Sequence, residues 1–128
     1  MNGPSLVLVV EDNEANQLLA RAVLEREGYR VEVAGGAEEA LEKVGETLPN
    51  LILMDIQLPG QDGLSLTRQL KAAPTTANIP IIALTAHAML GDREATIAAG
   101  CAGYIAKPID TNTFGDQIRE ILVPAPLR

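Results

Sequence analysis

The sequence predicts an α/β domain in which a five-stranded parallel sheet carries helices on both faces. Three observations lead there. Short apolar runs recur: LVLVVED (Leu6 to Asp12), LILMD (Leu51 to Asp55), IIALT (Ile81 to Thr85) and YIAKP (Tyr104 to Pro108). Runs this rich in Val, Ile and Leu read as buried parallel strands. Segments of helical period or helix-forming composition lie between them. Each run also ends in a charged or hydroxylated side chain, as strands do when their carboxyl ends open on a ligand crevice.

The elements follow in order. The first strand ends at Glu11 and Asp12, and Asn13 is able to cap the helix that follows. That helix, NEANQLLARAVLERE, is rich in helix formers and stops at Gly28. The second strand is VEV (Val31 to Val33), with Glu32 pointing the other way. Ala37, Ala40, Leu41 and Val44 then fall at i, i+3, i+4 and i+7, one face of a second helix. After LILMD, Leu66, Leu70 and Ala73 mark a third helix, ended by Pro74. After IIALT comes a fourth, Gly91 to Ala99, stopped by Gly100. The fifth strand is Gly103 to Ala106. The fifth helix is expected over Asp110 to Val123, with Phe114, Ile118, Ile121 and Leu122 facing inward. The whole chain, 1–128, reads as one domain with a core over 6–123 and a short tail, 124–128.

Strand composition suggests the order. The first, third and fourth strands are almost wholly apolar, as strands covered on both faces must be. The second and fifth are shorter and less uniform, which suits edges. Right-handed crossovers then give 2-1-3-4-5, the flavodoxin-like order, with its switch point between strands one and three. Glu11 and Asp12 lie beside Asp55 at that switch, and Thr85 and Lys107 end the next two strands.

Bulk properties narrow the classes. With 128 residues there is room for one core, and only three residues are aromatic, so aliphatic side chains must build it. A net charge of −7 argues against direct binding of nucleic acid or an anionic membrane. The single cysteine, Cys101, cannot form an internal disulfide and reads as small core filler in a reducing compartment. The opening MNGPS lacks a basic n-region, and no apolar stretch is long enough to insert in a membrane. The expectation is a cytoplasmic protein.

The convergent residues define a chemistry. Two unit charges about 4 Å apart repel by roughly 4 kcal/mol at an effective dielectric near 20. Three crowded carboxylates must therefore take up protons or hold a cation. An all-oxygen set favours a hard ion, and Mg²⁺ suits a site that keeps waters. A carboxylate can also attack phosphorus to give an aspartyl phosphate. A lysine and a hydroxyl would then serve the phosphoryl oxygens. The bland alternative for Glu11 and Asp12, a simple helix cap, is one that Asn13 can satisfy alone.

Taken together, EDNEAN, LILMDIQLPGQDG, ALTAHA and YIAKP resemble the receiver domain of bacterial two-component response regulators. The resemblance runs from about Leu6 to Val123. It implies that Asp55 is the phosphoacceptor. Asp12 would bind Mg²⁺ directly and Glu11 mainly through water, with the Gln57 carbonyl as a further ligand. Thr85 would be the switch hydroxyl and Lys107 the cation paired with the phosphoryl group. Tyr104 falls at the aromatic that turns inward on activation, and Lys107-Pro108 at a common cis peptide. Gln57 and His87 occupy the positions that tune acyl-phosphate hydrolysis.

The implied role is a single-domain response regulator that takes its phosphoryl group from a histidine kinase or histidine phosphotransfer protein. Such a domain is not an enzyme acting on a separate substrate; it catalyses its own phosphorylation and dephosphorylation. It then switches a face for a downstream protein or relays the group onward. Asp92, Arg93 and Gln117 are candidates for that face. Leu18 and Ala22 read either as a kinase docking face or as core. The EDNEAN opening also resembles receivers of hybrid histidine kinases, so an excised receiver stays open. A haloacid dehalogenase-like phosphatase fits less well: its nucleophile lies on the first strand, whereas the candidate here lies on the third. No GxGxxG or GxxxxGK[ST] follows the first strand.

Overall fold

The computed structural model describes residues 5–58, 62–85, 90–107 and 109–122, with the side chains of 90–93 and 122 left aside. The strands are β1 (Leu6–Val10), β2 (Arg30–Ala34), β3 (Leu51–Asp55), β4 (Ile81–Thr85) and β5 (Gly103–Ala106). The helices are α1 (Glu14–Arg26), α2 (Ala37–Glu46), α3 (Gly63–Ala72), α4 (Leu90–Ala99) and α5 (Phe114–Leu122). All neighbouring strands pair in parallel, in the order β2-β1-β3-β4-β5, as expected.

Alternation along the strands builds two cores. Leu8, Val10, Ile52, Met54, Ile81 and Ala83 meet Ala40 and Val44 of α2 and Leu66 and Leu70 of α3. Val7, Val9, Leu51, Leu53, Ile82 and Leu84 meet Ala20, Val23 and Leu24 of α1 and Phe114 and Ile118 of α5. A period of two thus feeds both faces, and β1, β3 and β4 are buried throughout. β2 and β5 are partly exposed, in keeping with their place at the edges.

Local chemistry sets the helix ends. Asn13 caps α1, its side chain accepting from the Asn16 amide, and Gly28 leaves the helix at φ 96°. α5 departs from expectation: it begins at Phe114, not Asp110. The Asp110 side chain accepts from the Asn112 amide at 2.9 Å, and its carbonyl accepts from Thr113 and Phe114. That turn satisfies the backbone locally and delays the helix by one turn. On α2, Leu41 is 37% exposed, so it borders the apolar face and is not buried with Ala40 and Val44. Leu18 on α1 is 67% exposed and Ala22 is also exposed, which removes the core reading for both. Cys101 is buried in the α2–α3 core as a free thiol, and burial pushes its pKa up, keeping it protonated.

Candidate functional site

Parallel pairing brings the carboxyl ends of all five strands to one edge of the sheet. Val10 of β1 lies beside Ala34 of β2 and Met54 of β3. Asp55 lies beside Leu84 of β4, and Thr85 beside Ala106 of β5. The residues that continue past these ends are Glu11, Asp12, Ile56 and Lys107. Backbone bonds extend the sheet into them: Glu11 N–H donates to the Ala34 carbonyl at 2.9 Å and Ile56 N–H to Leu84 at 3.2 Å. Lys107 N–H donates to the Thr85 carbonyl at 2.7 Å.

The side chains converge accordingly. One oxygen from each of Glu11, Asp12 and Asp55 lies within 4.8 Å of the others. Glu11 and Asp55 are buried, at 1% and 2% exposure, while Asp12 faces solvent. The Lys107 ammonium donates to Glu11 Oε1 at 3.3 Å and Asp55 Oδ2 at 3.2 Å. Asp55 Oδ1 accepts from the Gln57 N–H at 2.9 Å, a local partner that sequence reasoning did not anticipate. Glu11 Oε2 accepts from the Asn13 N–H at 3.2 Å.

Charge in this pocket is unbalanced: three carboxylates face one ammonium. Burial, and then the Asp55 charge, raise the Glu11 pKa above its ordinary 4.5, although the Asn13 amide and Lys107 oppose this. Burial alone would depress Lys107, but Asp55 and Glu11 more than reverse it, so its pKa lies above 10.5. The surplus negative charge and the all-oxygen donor set fit a hard divalent cation, of which Mg²⁺ demands the fewest direct carboxylates.

Gly63 brings the first turn of α3 against the carboxyl end of β3. Its N–H donates to the Ile56 carbonyl at 3.1 Å. A Cβ there would collide with the Asp55 carbonyl oxygen and approach the Ile56 Cα to 2.7 Å. Asp62 caps the same helix by accepting from the Leu64 amide at 2.8 Å. An Asp-Gly pair after a strand is thus a readable sign of close helix approach, one that sequence reasoning passed over.

Thr85 is buried at the end of β4, at 1% exposure. Tyr104 is half-buried on β5, packs against the α2–α3 core, and lines a groove of about 380 Å³ with Ala106, Gln117, Glu120 and Ile121. The expectations for His87 and Pro108 fall outside the described residues, as do the side chains of Asp92 and Arg93.

Comparison with known proteins agrees with this architecture. The family model described as the response regulator receiver domain matches residues 7–119. The polar-differentiation response regulator DivK of Brucella anthropi is 44% identical over 119 residues, covering 93% of this chain and 97% of the relative. DivK of Brucella ovis is 45% identical over 116 residues, covering 91% and 94%. A response regulator structure from Chloroflexus aurantiacus superposes with a TM-score of 0.87 at 33% identity, covering 93% and 98%. The receiver domain of a Pseudomonas aeruginosa sensor histidine kinase superposes with a TM-score of 0.82 at 37% identity, covering 92% and 97%. That structure has a magnesium ion coordinated in its active site cleft.

Proposed function

The chain belongs to the response regulator receiver domain family, and from that premise we propose that Asp55 accepts a phosphoryl group from a phosphohistidine on a partner kinase or phosphotransfer protein. The observation that carries this reading is the convergence of Glu11, Asp12, Asp55 and Lys107 past the ends of three strands. An Asp55 carboxylate oxygen attacks phosphorus as the phosphorus–nitrogen bond breaks, giving an acyl phosphate and a free imidazole. Lys107 already spans the acceptor and Glu11, so its ammonium remains beside the oxygens that gain charge. The Gln57 N–H holds Asp55 Oδ1, which turns the other oxygen toward Lys107.

Asp12, Glu11, Asp55 and the Gln57 carbonyl are the groups that would hold Mg²⁺. Bound there, the ion would supply positive charge to offset that of the phosphoryl oxygens. The exposed Asp12 suits direct contact, and the buried, Lys107-paired Glu11 suits contact through water. Thr85 is the hydroxyl that senses the phosphoryl group, and Tyr104 the residue that moves in response. The groove beside Tyr104 is then the face whose binding changes. Leu18 and Ala22, exposed on α1, form a surface for the phosphoryl donor. No helix among the described residues is long and apolar enough to cross a membrane.

The test is incorporation of phosphate from a small acyl-phosphate donor with Mg²⁺. One hydroxylamine-labile phosphoryl group per chain is expected, and none in Asp55→Asn. Equal incorporation in the variant rules out Asp55 as the acceptor.

A further inference from the structure

We propose that Gln17 is a positioning residue for the acidic loop, holding Asp12 in place by binding the main-chain carbonyls of the residues before and after it. The inference rests on the reading of Asp12 as a metal ligand. Asp12 is exposed, and none of the described residues hydrogen-bonds its carboxylate. With no bond from those residues to fix its rotamer, the Asp12 carboxylate takes its direction from its backbone.

That backbone is held from α1. The Gln17 side-chain amide Nε2 donates to the Glu11 carbonyl at 2.5 Å. The Gln17 backbone N–H donates to the Asn13 carbonyl at 2.9 Å. One half-buried residue thus binds the carbonyls of both neighbours of Asp12, one by its main chain and one by its side chain. The remaining bonds complete the frame: Glu11 N–H reaches Ala34 across the sheet, and Asn13 N–H reaches Glu11 Oε2. The main-chain bond would form with any residue other than proline at 17, whereas the bond to Glu11 needs a donor at that reach. Neighbours that orient a ligand commonly change metal affinity by about 10- to 100-fold when removed. The side-chain grip acts through one neutral bond, so an effect at the lower end is expected.

The experiment measures Mg²⁺ affinity of the phosphate-free protein by calorimetric titration. The variants are Gln17→Met, which keeps the length and loses the donor, and Gln17→Asn, which keeps the donor and loses the reach. Both should weaken Mg²⁺ about tenfold, with metal-free melting unchanged and the amide NMR changes confined to residues near 11–17. Glu25→Gln, an exposed position near the far end of the same helix, should bind Mg²⁺ as wild type does. Wild-type affinity in Gln17→Met overturns the proposal, and so does full affinity in Gln17→Asn. Asp12→Ala, run in parallel, separates the two layers. If it keeps Mg²⁺, the metal-ligand reading itself fails; if it alone loses Mg²⁺, only the Gln17 grip is wrong.

Discussion

The centre of the sheet and its β5 edge differ in how completely they are packed. Just past the end of β1 and at the end of β3, Glu11 and Asp55 are buried and each bonds both Lys107 and a backbone amide. At the edge, Tyr104 is half-buried, Ala106 is exposed, and residues of β5 and α5 line a groove of about 380 Å³. Chemistry needs fixed distances, and the centre supplies them with charged hydrogen bonds between buried side chains. A switch needs a second arrangement within reach, and a filled interior does not offer one. On the proposed function, the site is tightly bonded where a bond is to form and open where a surface is to change.

The largest effect should come from breaking the centre. Lys107→Met leaves two buried carboxylates without their cation, and unfolding stability without metal at pH 8 should fall by about 3 kcal/mol. Denaturant unfolding measures this. Part of the loss should return as the pH drops toward 5, because Glu11, with its raised pKa, takes up a proton. The same substitution should also slow phosphoryl transfer.

Next in size is the contact of α3 with the acceptor strand. Gly63→Ala forces a methyl group against the Asp55 and Ile56 backbone. It should cost about 2 kcal/mol and lower the phosphorylation rate. An equivalent Gly45→Ala, where a Cβ meets nothing within 4 Å, should not destabilise the protein.

Metal linkage gives a smaller, pH-dependent effect. A Glu11 pKa above 4.5 means that the folded state holds its proton more tightly than the unfolded chain. Stability without metal should therefore fall as pH rises from 4.5 through the raised value, where the charged form is penalised. Mg²⁺ should do the opposite, binding the deprotonated cluster and stabilising more as pH rises. At ten times its dissociation constant the gain should be about 1.4 kcal/mol at pH 8 and should shrink toward pH 5. Thermal melts with and without Mg²⁺ across this range would reveal it; a pH-independent gain would separate Glu11 from the metal site.

The sequence made the centre legible and the lateral ties obscure. Strand ends carry their functional residues in a fixed relation to the apolar run, so Glu11, Asp12, Asp55, Thr85 and Lys107 were readable together. The edge positions of β2 and β5 followed from their weaker apolar character. Contacts that depend on the reach of a long side chain were not readable. The Gln17 bond to the Glu11 carbonyl is one example, and the Arg119 pairing with Glu27 another. Lys71, which caps the Ala77 and Ile79 carbonyls at 2.9 and 2.8 Å, is a third. Each joins segments whose relative placement is set only by the finished fold. The start of α5 was misread because Asp110 can serve a turn as well as a helix, and its bond to Asn112 decides for the turn.

The most direct test of a rigid centre driving an open edge is amide NMR with a beryllofluoride phosphoryl mimic and Mg²⁺. Wild-type protein and Thr85→Ala would each be titrated. A ligand shifts two states only by its differential contacts with them, chiefly here the Thr85 hydroxyl. In wild type, shifts should spread from Asp55 to β5 and to the α5 residues that line the groove, Gln117, Glu120 and Ile121. In Thr85→Ala the shifts around Asp55 should persist while those at β5 and α5 are lost. Identical changes at β5 and α5 in both proteins would contradict the account.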